Sequence, residues 1–346
     1  MAYTTVNKSG DYFNTKLYTG NGSTQSINVG FQPDFTWIKT RSGTTGTEGH
    51  RLQDAVRGST KYLESNGTAQ EGTQAQGVTS FTSTGFNLGT DGSYNYNTAP
   101  IASWNWKANG TGSANTDGSI NSTVSVNTTS GFSIVSYTGN ATANATVGHG
   151  LGVAPSMMIV KKLNGAYNWG IYHKSLTAQK LITFTTGTPD DDASYWNDVE
   201  PTSSVFNLGS GALTNGSGST MIAYCFTDVQ GYSKFSSYTG NGNADGTFVY
   251  TGFKPAFVMI KRTDTGDNWL IKDIKRDPIN QMEKRIFPNL SNAEDTGSGG
   301  NYDFLSNGFK LRESDAIGNA SGGTYIYMAF AEAPLVGTNN VPCTAR

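Results

Sequence analysis

The chain contains three histidines, His50, His149 and His173. No two fall at the i, i+4 spacing that would place a pair of imidazoles on one helix face for zinc. No GxSxG elbow with a histidine partner and no Walker-type phosphate loop occurs, and glycine clusters such as the one from Gly209 read as turns. The run Asp190, Asp191 and Asp192 sets three carboxylates side by side. Calcium takes about six to eight oxygens, so this run supplies part of a shell at most. Glycoside hydrolysis needs two carboxylates about 5 to 10 Å apart across a cleft, which adjacency in sequence does not establish. A solvated loop is the plainer reading. The expectation is therefore no enzyme, no catalytic residue, no metal and no cofactor.

The remaining chemistry lies in aromatic side chains. Tyr94 and Tyr96 in SYNYN, and Tyr195 and Trp196 in ASYWN, stand beside Asn and Asp in segments without counterparts elsewhere in the chain. A ring of this kind can stack on a sugar while its polar neighbours hydrogen-bond the hydroxyls. Together with Asp190, Asp191 and Asp192 these four form the candidate ligand-binding set; packing onto a neighbouring subunit is the competing reading. Trp104 and Trp106 resemble a stacking platform too, but Tyr224 and Phe226, and Met328 and Phe330, hold the equivalent places, so the shared requirement is apolar bulk in a core. The same comparison assigns Phe35, Trp37 and Trp169 to the core and makes Cys225, at the place of Asn105 and Ala329, a small filler. Asp54/Arg57 and Asp273/Arg276 read as repeated ion pairs that fix a loop.

These equivalences come from an internal repeat. YTGN occurs at Tyr18, Tyr137 and Tyr238, each time after an alternating run. GFQPDFTWIK, GVAPSMMIVK and GFKPAFVMIK align on Pro33, Pro155 and Pro255. Period-2 alternation then sends Phe35 and Trp37, Met157 and Ile159, or Phe257 and Met259 to a core face, with Lys39, Lys161 and Lys261 expected in solvent at the strand end. A third block runs GHRLQDAVR, NWGIYHKS, NWLIKDIKR; a fourth GFNLG, VFNLG, GFKLR; a fifth IASWNW, MIAYCF, YIYMAF. The order is the same each time. The expected organisation is all-β: three tandem β-sandwich modules of jelly-roll type over residues 1–113, 114–230 and 231–337, with 338–346 as a C-terminal tail. The segment from Gly110 reads as a linker that becomes the first strand of the second copy. Copies differ most between the third and fourth blocks, where loops tolerate change.

Composition agrees. Glycine is 43 of 346 residues, roughly 12% against a usual figure of about 7%, which suits many tight turns and short strands. Charged residues are 14% and the net charge is −2, so there is no broad basic field for a phosphate backbone and nucleic acid is not an expected partner. No run approaches the roughly 20 apolar residues of a spanning helix, and the N-terminal segment does not read as an export signal. Membrane insertion is not expected.

Four strings of the first copy, LYTGNGSTQSINVGFQPDFTWIKTRSG from Leu17, HRLQDAVRGSTKYLESN from His50, FNLGTD from Phe86 and ASWNWKANG from Ala102, resemble a module that recurs in structural and tail-fibre-like virion proteins of marine bacteriophages, chiefly those of cyanobacteria. The other copies resemble it more weakly. The resemblance implies a lectin-like sandwich on a tail appendage for host attachment, or a capsid-exterior decoration or knob. It implies other virion proteins as partners, a homo-oligomer such as a trimer, a host surface glycan as a possible ligand, and a virion-surface location after synthesis in the host cytoplasm. It supplies no catalytic residues. A depolymerase of surface polysaccharide is the enzymatic alternative, and a bacterial adhesin is disfavoured by the missing export signal.

Overall fold

Alternation along Phe35–Thr40 sends Phe35 and Trp37 to one side of the strand and Ile38 to the other, yet all six residues are buried. The strand therefore lies between two apolar layers. In the computed structural model, which describes residues 3–42, 48–297 and 299–337, the chain is mostly β, with several antiparallel sheets and only short helical turns. The expected tail 338–346, with Cys343, lies outside the described residues.

One sheet order recurs three times. In the first copy Phe13–Thr19, Pro100–Trp106, Phe35–Thr40 and Arg51–Asp54 lie side by side. Phe132–Thr138, Thr220–Phe226, Met157–Lys162 and Gly170–His173 repeat this, as do Ser233–Thr239, Thr324–Pro334, Phe253–Arg262 and Trp269–Asp273. The second sheet is widened by a hairpin, Ser113–Asn115 with Ser122–Asn127, drawn from the segment read as a linker. Each copy adds a smaller sheet: Gln25–Asn28, Gly85–Leu88 and Val78–Thr82 in the first, Ala145–Gly148 and Val205–Leu208 in the second, Phe248–Tyr250, Gly308–Leu311 and Tyr302–Leu305 in the third. A short ribbon, Lys61–Tyr62 with Gly72–Thr73, or Lys180–Leu181 with Asp190–Asp191, follows each third block; the third copy keeps a single bridge, Arg285 to Asp295.

Ile38, Val78, Phe86 and Ile101 form a core between the large and small sheets of the first copy, and the other two copies have cores of their own. The opposite faces of the three large sheets meet in one further core, which joins Phe35, Trp37 and Trp104 to Met157, Ile159 and Trp169 and to Phe257, Met259 and Trp269. At its centre Trp106, Phe226 and Phe330, the last residues of the fifth block, close a triangle with ring centroids 6.2, 5.6 and 6.0 Å apart. Truncating such a ring to alanine removes about 3–5 kcal/mol. Burial on both faces explains why these strands read as nearly continuous apolar runs.

Candidate ligand-binding surface

Most of the recurring residues hold a copy in shape or join it to its neighbours. In YTGN, the tyrosine hydroxyl donates to a carbonyl before the fifth block: Tyr18 to Tyr94, Tyr137 to Thr214, Tyr238 to Gly318, at 2.6–2.8 Å. The glycine is required by close approach, since a Cβ on Gly20, Gly139 or Gly240 would lie 2.1, 2.5 or 2.4 Å from a backbone oxygen. The N–H of the final asparagine, Asn21, Asn140 or Asn241, donates at 2.9 Å to the side-chain oxygen of a buried asparagine: Asn95, Asn215 or Asn319 respectively. Those buried asparagines are a recurring feature that the five blocks missed; YN, TN and GN end three segments of equal placement but differing sequence.

A second set crosses between copies. Asp54 accepts from Tyr224 Oη at 2.7 Å, His173 Nε2 donates to the Tyr327 carbonyl at 3.2 Å, and Asp273 accepts from Trp104 Nε1 at 3.0 Å. These three stand at one register position, opposite Phe35, Met157 and Phe257. The contacts run from first to second, second to third and third to first copy. His50 Nε2, Trp169 Nε1 and Trp269 Nε1 close the ring in the other direction, donating to the carbonyls of Phe287, Glu64 and Thr183. The lysines follow suit. Lys39, Lys161 and Lys261 are buried rather than in solvent, each Nζ donating to two carbonyls, one of them on a neighbouring copy: Ser291, Thr68 and Thr186. Desolvation pushes all three ammonium groups down to about 8. Burial likewise lowers His50 and His173, the latter to about 4.

The fold separates the candidate set. Tyr94 and Trp196 are 1% exposed, in the cores of the first and second copies. The expectation that their rings face a ligand is corrected: each belongs to a four-residue helical turn, Gly92–Asn95, which packs on Phe35–Thr40 of the large sheet, or Ala193–Trp196, which packs on Lys180–Leu181 and Val205–Leu208 with the Trp196 ring against Tyr172. Tyr96 is 39% exposed but stands at the end of its turn, away from the other candidates. Asp192 caps Ala193–Trp196 by accepting from Ser194 N at 2.7 Å, and Asp191 pairs with Lys180 in the ribbon. Asp190 and Tyr195 do come together. Tyr195 Oη donates to Asp190 Oδ2 at 2.8 Å, and burial with that carboxylate pushes the phenol up to about 12.

Those two line a cleft of about 410 Å3 with Tyr167, Asn168, Thr183 and Thr188, over a floor of Leu181 and Leu213. Tyr167 is 37% exposed, with Lys162 Nζ 4.3 Å from its ring centre. The Asn168 amide makes no hydrogen bond among the described residues, whereas its counterpart Asn268 is tied to Asn289 at 2.7 Å. Strand register shows why the second copy is open here. The position of Leu181 is held in the first copy by Tyr62, which is covered by Arg51 at 4.7 Å and packs closely on Gly72. In the third copy it is held by Arg285, ion-paired to Asp295 at 2.7 Å. Gly170 stands where Arg51 stands, so the second copy has no arginine to reach Asp190.

A family model described as "Domain of unknown function (DUF7483)" matches residues 8–334. The chain belongs to this family. The match spans all three copies as one unit, as a shared core demands of a domain. Comparisons with curated proteins and with solved structures gave no match.

Proposed function

We propose that the chain is a non-catalytic virion-surface protein of a bacteriophage that attaches to a host glycan through the cleft of its second copy. In this reading the three copies are β-sandwich modules of lectin-like type, and the phage setting rests on the resemblance of the first copy. The observation that carries the binding function is the cleft itself. Two tyrosines, a carboxylate and an unengaged amide converge in a volume within the usual range for small ligands, about 300–1,000 Å3, at the one copy where no arginine fills it. Tyr167 and Tyr195 offer apolar ring surface to a sugar, and Asp190 and Asn168 offer an acceptor and a mixed donor–acceptor to its hydroxyls. Asp190 is the sole carboxylate among the described residues that line the cleft, which supports binding over hydrolysis by a carboxylate pair.

The test is adsorption. Purified protein should bind envelope polysaccharide of the host and block adsorption of the phage. Tyr167→Ala and Tyr195→Ala should each weaken binding roughly tenfold, equivalent to about 1.4 kcal/mol, and Tyr96→Ala should leave it unchanged. Release of new reducing ends would favour the depolymerase instead, and absence of the protein from purified particles would refute the virion setting.

A further inference from the structure

The ribbon Lys180–Leu181/Asp190–Asp191 has a second cleft on its other face, at the junction of the second and third copies. Its counterparts at the other two junctions are sealed. Between the first and second copies, Arg57 reaches from its partner Asp54 to Glu71 at 3.3 Å, and Glu71 N donates to the Leu163 carbonyl at 2.9 Å. Between the third and first, Arg276 joins Asp273 to Glu294 at 3.0 Å, and Glu294 N donates to the Arg41 carbonyl at 2.9 Å while its carboxylate is held by Arg41 at 2.7 Å.

Register identifies what replaces each part. The residue before Gly72 and before Asp295 is a glutamate; the residue before Asp190, at the same ribbon position, is Pro189. Leu176 follows His173 as Arg57 follows Asp54 and Arg276 follows Asp273. At these three positions the second copy thus has His173, Leu176 and Pro189 in place of aspartate, arginine and glutamate. Proline also lacks the N–H that would have bonded across to Thr263, the counterpart of Leu163 and Arg41. The seam stands open as a cleft of about 580 Å3. Its walls carry the hydroxyls of Ser175, Thr188, Ser237, Thr263 and Thr324, and the Lys180 ammonium, which has no hydrogen-bond or ion-pair partner among the described residues. Its one carboxylate, Asp264, is held by Arg262 at 2.9 Å.

We propose that this seam is a second binding site, which shares only Thr188 with the Tyr167/Tyr195 cleft, and that it takes a neutral oligosaccharide. The hydroxyls of Ser175, Thr188 and Ser237 can each donate to or accept from sugar hydroxyls, beside Thr263 and Thr324, which share a hydrogen bond at 2.8 Å; Lys180 adds a charge-assisted donor, and Leu176 gives apolar surface for a ring face. Asp264 in the wall and Asp191 opposite Lys180 in the ribbon disfavour a strongly acidic chain.

The probes are neutral gluco-, galacto- and manno-oligosaccharides of four to six units, titrated at millimolar concentration and followed by saturation-transfer NMR and calorimetry on the whole chain. At least one should bind. Lys180→Ala should weaken that binding severalfold, and Pro189→Glu combined with Leu176→Arg, which restores the arginine–glutamate pair of the sealed seams, should abolish it. Tyr167→Ala should leave it intact, whereas binding of host polysaccharide at the other cleft should respond in the opposite way, so the two sites fail separately. Circular dichroism shows whether the double variant folds, and Lys180→Ala, on a half-exposed side chain, serves if it does not. No binding by any of the probes, or binding indifferent to Lys180→Ala and to the double variant, overturns the proposal.

Discussion

Asn215→Ala removes one side chain and three hydrogen bonds. The amide accepts from Asn140 N at 2.9 Å and donates to the carbonyls of Thr142 at 3.0 Å and Gly209 at 2.7 Å, with the residue fully buried. At about 1 kcal/mol per bond, the direct loss is about 3 kcal/mol. Asn140 and Thr142 lie near the surface, where water can take over, but the bond to Gly209 is buried, and stranding that oxygen adds about 1–3 kcal/mol. The expected loss is about 4–6 kcal/mol, read from urea unfolding followed by tryptophan fluorescence. Asn95→Ala and Asn319→Ala break equivalent sets and should fall in the same range. Asn215→Asp keeps the acceptor but turns an oxygen toward two carbonyl oxygens, so it should be no better than alanine at neutral pH and should recover partly in acid, when a protonated carboxyl can donate once. A loss below about 1 kcal/mol in all three alanine variants would show that water replaces these bonds and would refute the account of YTGN as a lock.

Tyr224→Phe leaves buried Asp54 without one donor and should cost about 1.5–3 kcal/mol; a double-mutant cycle with Asp54→Asn should return most of that as coupling, and additivity would count against the seam contact. Gly139→Ala should unfold the second copy's turn or cost several kcal/mol in urea, because a Cβ there has a carbonyl at 2.5 Å. His173 titrates near 4 when folded and near 6.5 when unfolded, so the unfolded chain binds the extra proton; stability is complete above about pH 6.5 and falls by about 3 kcal/mol as pH drops through 4, a slope that urea unfolding across that range detects. The three buried lysines titrate near 8 when folded, so the unfolded chain again holds more protons and stability rises from about pH 8 toward 10, where buried tyrosines such as Tyr232 reverse the trend; a thermal midpoint that falls between about pH 7.5 and 9.5 would contradict this.

The sequence was most informative where one residue could be compared with two equivalents. Trp104 and Trp106 went to a core on that basis, and their burial follows from apolar bulk at Tyr224, Phe226, Met328 and Phe330. Comparison says which residues share a place, not what that place faces. Lys39, Lys161 and Lys261 recur at strand ends and read as solvated, because nothing local reveals that carbonyls of another copy wait there. Tyr94 and Trp196 read as unmatched and exposed for the same reason: their turns fold back onto the large sheet through contacts far away in sequence. Two of the seven candidates, Asp190 and Tyr195, line one cleft, and both were legible as part of an unmatched acidic-aromatic segment. Tyr167 and Asn168 were not, since Asn168 opens a block whose recurrence pointed to structure and Tyr167 stands just before it.

The cyclic contacts among the copies have one more consequence. An assembly of identical chains around the same centre would repeat every junction, so a substitution such as proline for glutamate would open all of them at once and forfeit every Arg–Glu clasp. It would also come apart on dilution. Joined end to end, the copies meet at an effective concentration fixed by their linkers, whatever the number of molecules present. One junction is then free to diverge, and Leu176 and Pro189 mark where it has.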